Sequence, residues 1–204
     1  MLFIPPKPIQ PTAIYAGCIY EFENIWPDYE TVIQELEQEV SNPDNLFSFV
    51  PAETLDGGGQ THGIRTNAHL GLSGAAQQNE WFGNLNNRYY QTLVPTVEYY
   101  RQKFLADIPQ LYHEGYNILK YKAGTEYKAH YDGDTGSKRA VSPILYLNDD
   151  YTGGELEFAH FNLRIKPKAG TLYIFPASFP YAHIAHPVQT GTKYAIVTWL
   201  HDRA

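Results

Sequence analysis

Cysteine is almost missing from this 204-residue chain: Cys18 stands alone, so no intramolecular disulfide can form and no cysteine-rich zinc ribbon can be built. A reducing compartment follows, and the cytoplasm is the expected location. Long apolar runs are missing too. No 18 apolar residues stand together, and Met1-Leu2-Phe3-Ile4-Pro5-Pro6 lacks a basic segment and is broken by prolines, so neither a membrane span nor a secretion leader is expected. Positive charge is scarce: 15 Lys and Arg stand against 22 Asp and Glu, for a net charge of −7. Such a chain has no overall field to draw in phosphate backbones or anionic lipid, which argues against nucleic-acid and membrane partners.

Aromatic rings are abundant, and 17 of them are tyrosines whose hydroxyls need partners wherever they are buried. The length fits a single domain, 1–204, and its character changes near residue 115. Residues 1–114 read as a helix-rich support and substrate-side segment. From Pro27, the apolar positions Tyr29, Ile33, Leu36 and Val40 recur at helical spacing, and Ser41-Asn42-Pro43 ends the run. A second stripe joins Phe82, Leu85, Tyr89, Leu93, Val97, Tyr100 and Phe104, with Pro95 inside it to kink or split the helix. Between them, Asp56-Gly57-Gly58-Gly59 and the polar stretch to Asn79 suggest a mobile loop or hairpin.

Residues 115–204 read as a core of short strands divided by Gly, Pro and Asp turns: Tyr116 to Tyr121, Tyr127 to Tyr131, Pro143 to Leu147, Glu155 to Phe158, Leu163 to Ile165, Thr171 to Phe175 and Lys193 to Leu200. The expected fold is therefore mainly β with supporting helices. Its core is a double-sheet jelly roll, a double-stranded β-helix, with the N-terminal helices packed on one sheet and any ligand in its mouth.

On the predicted strand Tyr127 to Tyr131, His130 and Asp132 are two residues apart and project to one face, offering an imidazole and a carboxylate to one metal. Taken alone, a solvated surface strand explains this pair equally well. A third ligand would come from a neighbouring strand, and both His183 and His186 are available, on opposite faces if their segment is extended. Two histidines and one carboxylate suit a non-haem Fe(II) oxygenase, because three adjacent positions on the ion stay open.

At this point the chain resembles the Fe(II)- and 2-oxoglutarate-dependent dioxygenases, in their prolyl 4-hydroxylase-like branch. The likeness runs from about Asn117 to Leu200. It takes in Tyr121, Gly124, Tyr127, His130 and Asp132, then Ile144-Leu145-Tyr146-Leu147-Asn148, Gly153-Gly154-Glu155-Leu156, Pro167, Gly170, His183, Pro187-Val188, Gly191 and Lys193. The resemblance implies His183 rather than His186 as the distal metal ligand, and Lys193 as the countercharge to the far carboxylate of 2-oxoglutarate. It also implies cosubstrate contacts from Tyr146, Tyr121 and Thr171. Fe(II), 2-oxoglutarate, dioxygen and ascorbate as reductant are the implied cofactors, and succinate and carbon dioxide the products. The implied substrate is a peptidyl residue, proline for choice. Alternatives are a free amino acid or small metabolite, or a metal-binding β-sandwich without catalysis. Arg65, Arg139 and Trp81 are the implied substrate contacts, with Tyr173 and Tyr181 as further groove aromatics and Gly133 to Ala140 as a lid. The Arg65-Thr66-Asn67 run resembles the family's Arg-Thr-Ser segment, with Asn67 in place of serine.

Overall fold

The computed structural model describes residues 9–52, 63–133 and 136–202. Asp56-Gly57-Gly58-Gly59, His62, and Asp134 of the expected lid lie outside the described residues. In chain order the elements begin with β1 (Ala13–Tyr15), β2 (Ile19–Phe22), α1 (Tyr29–Ser41), β3 (Val50–Pro51), β4 (Ala68–Gly71), α2 (Leu72–Ala75) and α3 (Glu80–Phe104). There follow β5 (Tyr112–His113), β6 (Asn117–Lys122), β7 (Tyr127–His130), β8 (Arg139–Tyr146), β9 (Thr152–Gly153) and β10 (Leu156–Phe158). The chain closes with β11 (Leu163–Ile165), β12 (Thr171–Pro176), β13 (His183–Ala185), β14 (Val188–Thr190), β15 (Thr192–Val197) and β16 (Leu200–His201). Among the described residues no helix is long and apolar enough to cross a membrane.

Two facing sheets form the jelly roll. The larger runs β1-β2-β12-β8-β15-β6-β4-β3, with β16 beside β8 and β5 beside β16; the smaller runs β11-β10-β13-β7. Their described pairings are antiparallel, so each strand offers alternate residues to its two faces. On the outer face of the larger sheet Phe22, Leu172, Leu145, Ile196 and Ile118 pair across five strands in one apolar row. They join Val32 and Leu36 of α1 and Phe82, Leu85, Tyr89, Leu93 and Tyr100 of α3 in one dry core. The next row inward, Thr171, Tyr146, Ala195 and Leu119, faces the smaller sheet.

Three features of the first 114 residues sharpen the expectation. β1 and β2 extend the larger sheet at one edge, and all four residues of β2 are buried, so this strand carries no alternation to reveal it. The polar stretch before α3, read as a loop or hairpin, supplies β4, which pairs antiparallel with both β3 and β6. Pro95 neither ends nor splits α3, which continues for 25 residues. It begins at the Asn79 cap, whose side chain accepts from the Phe82 amide at 3.1 Å.

Candidate active site

Strand register assembles the polar cluster. His183 on β13 is paired directly with His130 on β7, and Asp132 follows two residues after His130. His130, Asp132 and His183 each place a ligand-type atom within 4.8 Å of the others. The Nε2 atoms of both imidazoles lie 3.6 Å from the Asp132 carboxylate, one facing each oxygen. Both Nδ1 atoms face backbone carbonyls, His130 that of Lys128 at 2.7 Å and His183 that of Tyr181 at 3.3 Å. Only an N–H can donate to a carbonyl, so these contacts put the proton on Nδ1 and leave the Nε2 lone pairs aimed at the cluster. His130 is held further by stacking on Tyr127, with ring centroids 3.4 Å apart.

Protonation states match a cation site. Burial pushes the Asp132 carboxyl up, but His183 and His130 outweigh it and hold the group well below the usual carboxylate range. Burial, aided by the neighbouring His130, pulls His183 down to about 4, against the opposing pull of Asp132. A charged carboxylate and a neutral imidazole are the forms that bind metal ions.

The cluster opens into a cavity between the sheets, lined among others by Leu119, Tyr121, Ile144, Tyr146, Lys193 and Trp199. Lys193 stands opposite Tyr121 in the β15–β6 register and is 1% exposed. Its Nζ donates to the Gly154 carbonyl at 3.0 Å and sits 4.2 Å from the centre of the Tyr121 ring. Among the described residues it forms no ion pair. Burial, with help from Lys166 and against Glu155, pulls it down to about 7. A buried ammonium without an acid is costly, so the pocket suits an anion. Tyr146 faces the same cavity, and burial raises its phenol well above the ordinary range, keeping it a neutral donor.

The other expected residues divide. Arg65 lines the cavity: its Nε donates to Asn67 Oδ1 at 3.0 Å, and its guanidinium lies 4.8 Å from the Tyr127 ring centre. Asn67, the departure from serine, therefore orients this arginine. Arg139 is committed to the protein: it grips both Glu114 carboxylate oxygens, donates to the Asp132 carbonyl at 3.2 Å and covers the Trp199 ring at 3.9 Å. Thr171 is fully buried in the Tyr146 row with no partner for its hydroxyl, and it does not line the cavity wall.

Trp81 is a correction. At the start of α3 it packs on Phe82 beside the helix core and donates to Glu35, with the larger sheet between it and the cavity. Tyr173 is another, because its fully buried hydroxyl donates to Glu21 at 2.7 Å, as does that of Tyr15 at 2.6 Å. Tyr181 packs on Phe161 outside the cavity lining. Of the expected lid, Arg139 and Ala140 belong to β8. His186 contacts Glu157 at 2.7 Å, away from the cluster. Sequence reading missed Trp199 at the cavity wall, although Lys193, Ala195, Val197 and Trp199 alternate along one strand direction and all line the cavity. Glu114, the anchor of Arg139, carried no local signal.

Comparison with known proteins agrees with this geometry. Residues 116–201 match the family model of the 2OG-Fe(II) oxygenase superfamily. A probable prolyl 4-hydroxylase 9 of Arabidopsis thaliana is 31% identical over 125 residues, covering 47% of this chain and 43% of the plant protein. The chain spans less than half the length of the curated relatives it first matches. In fold it is similar to the viral collagen prolyl hydroxylase of Paramecium Bursaria Chlorella virus-1 in its 2OG complex, with TM-score 0.62, 18% identity and coverage of 93% and 98% of the two chains. The Trichoplax adhaerens prolyl hydroxylase, in complex with a hypoxia inducible factor oxygen degradation domain peptide fragment, aligns with TM-score 0.68, 16% identity and coverage of 92% and 84%. By its strands, its polar cluster and the match over residues 116–201, this chain is similar to the 2OG-Fe(II) oxygenases, and to the prolyl 4-hydroxylases among them.

Proposed function

We propose that the chain is an Fe(II)- and 2-oxoglutarate-dependent dioxygenase that hydroxylates a peptidyl residue, with proline the leading candidate. The observation that carries this reading is the pairing of two sites in one cavity: a His130, Asp132 and His183 cluster, and the buried Lys193 side chain, which among the described residues has no acid paired with it. A divalent ion on two neutral imidazoles and one carboxylate keeps one positive charge, which together with Lys193 balances a dianion. The donor set fits Fe(II), and the buried ammonium fits the far carboxylate. A metal-binding sandwich without catalysis has no use for such a lysine.

When bound, Fe(II), 2-oxoglutarate and dioxygen would supply the oxidative decarboxylation that yields succinate and carbon dioxide and hydroxylates an unactivated C–H bond. The protein's own part is positioning. His130, Asp132 and His183 hold the metal from one side; Lys128 and Tyr181 carbonyls fix the two rings. Lys193 pairs with the far carboxylate and Tyr146 donates its phenol to the same group, while Tyr121 forms the wall beneath the ammonium. Arg139 holds the Asp132 backbone to Glu114 and Trp199, and Arg65 borders the open side. Ascorbate would keep the metal reduced. A proline-containing peptide is the substrate that the prolyl hydroxylase relatives point to.

The test combines the purified chain with Fe(II), 2-oxoglutarate and ascorbate, and measures succinate together with mass gain on proline-rich peptides. Succinate plus one added oxygen on proline is the expected result. Succinate without peptide oxidation would keep the dioxygenase and reject the peptidyl substrate; no succinate from iron-loaded protein would reject both.

A further inference from the structure

Lys193 shares its turn with a second lysine. Lys166, just beyond β11, reaches the Gly153-Gly154 turn from the other side, donating to the Gly153 carbonyl at 2.8 Å and the Tyr151 carbonyl at 2.9 Å. Its ammonium also lies 3.5 Å from the centre of the Tyr151 ring. From inside the cavity Lys193 takes the next carbonyl, that of Gly154. Two lysines thus hold successive carbonyls of one turn. Only glycine fits this turn: both residues have positive φ, a Cβ on Gly153 would stand 2.4 Å from the Pro187 oxygen, and one on Gly154 would stand 2.8 Å from the Tyr151 ring.

Among the described residues, the surroundings of Lys193 supply no acid paired with it. Tyr121 faces it from β6 and Tyr146 from β8, both as neutral phenols; Tyr151 and Glu155 flank the turn, and Lys166 stands behind. Glu155 is already paired with Arg164 at 3.2 Å. A fully buried amine with one backbone acceptor and a like charge nearby is better neutral than charged until an anion arrives.

We propose that docking of the 2-oxoglutarate far carboxylate is coupled to uptake of one proton by Lys193, and that Lys166 is the positioning residue that sets this coupling by fixing the turn and opposing the charge. The inference rests on the dioxygenase reading above. In the step, the neutral amine takes one proton from solvent to become an ammonium, while the dianion enters with its charge unchanged. The burial that draws Lys193 down to about 7 supports the same direction. Above that pH the apparent affinity for 2-oxoglutarate falls, by about tenfold per pH unit.

Calorimetry of 2-oxoglutarate binding to the Zn(II)-loaded chain, in buffers of different ionisation enthalpy, counts the protons directly. Close to one proton is taken up at pH 8.5 and almost none at pH 6. Lys193→Arg, whose side chain stays charged, binds without uptake at either pH. Lys166→Met moves the onset of uptake to higher pH, because the opposing charge is gone, whereas Lys166→Arg leaves it in place. Binding without uptake at pH 8.5, or equal uptake in Lys193→Arg, overturns the coupling. An unchanged onset in Lys166→Met overturns the role of Lys166. Complete failure of the loaded chain to bind 2-oxoglutarate at either pH would instead overturn the dioxygenase reading, a result that cannot be confused with the others.

Discussion

The two faces of the larger sheet are built from the same strands and differ in almost every other respect. On the outer face, the row from Phe22 through Leu172, Leu145 and Ile196 to Ile118 is wholly aromatic or aliphatic and is sealed by the helices. On the alternate residues of the same strands, the inner face holds Lys193, Tyr146, Thr171, Ser142 and Glu21. The outer row gains stability from burial alone, at about 25 cal/mol per Å² of apolar surface. The inner row gives up part of that gain, since each buried polar group needs a partner. Glu21 finds two tyrosine hydroxyls, whereas Lys193 finds only a carbonyl and Thr171 finds none. A fully buried amine with a single carbonyl partner on the cavity wall is therefore what the inner face holds and the outer row does not.

This contrast can be broken at several points. Asp132→Ala should remove metal binding and turnover altogether and lower the melting temperature of the metal-free chain at neutral pH, because the neighbouring histidines stabilise its charged form in the fold. A metal titration followed by thermal unfolding checks both halves. Lys193→Met should weaken 2-oxoglutarate binding by about 100-fold yet stabilise the metal-free fold by about 1–4 kcal/mol at pH 7. Because Lys193 sits near 7 in the fold, below its ordinary 10.5, the unfolded chain binds more protons between those values and native stability rises with pH across that window. The stability gap between Lys193→Met and wild type should accordingly narrow from pH 7 to pH 10 in denaturant titrations. If the variant is less stable than wild type at pH 7, the inner face is ordinary packing.

Leu145→Ala tests the outer face, with an expected cost of about 2–5 kcal/mol and unchanged metal affinity in the folded fraction; loss of that affinity would mean that the faces are not separable. Smallest is Trp81→Phe, which loses the hydrogen bond to Glu35 for about 1 kcal/mol and should leave the cosubstrate KM unchanged. A rise in that KM would return Trp81 to the site.

Part of the candidate site was legible in the sequence because strand alternation is simple. His130 and Asp132, two apart, suggest a shared face by spacing alone, whereas Lys193 was picked out through the likeness to a family. His183 was separable from His186 only through the likeness to a family, since either could have faced the pair; the register to His130 makes the geometric choice. What stayed hidden was long-range. β2 is buried on every residue, so its pattern does not distinguish strand from helix, and β4 lies in a polar stretch whose partner, β6, begins 46 residues later. Trp81 was misplaced because an aromatic residue near a helix start reads alike on either side of a sheet. Tyr173 was misread because its partner Glu21 lies 152 residues away.

The direct pairing of His183 with His130 has a consequence for how this molecule can change over time. Side chains alternate strictly along a strand, so inserting one residue within β7 or β13 would turn a ligand to the opposite face, whereas insertions in the loops between Gly133 and Ala182 need not move either ring. The chemistry is therefore written in a strand register, and the connecting loops are free to diversify around it.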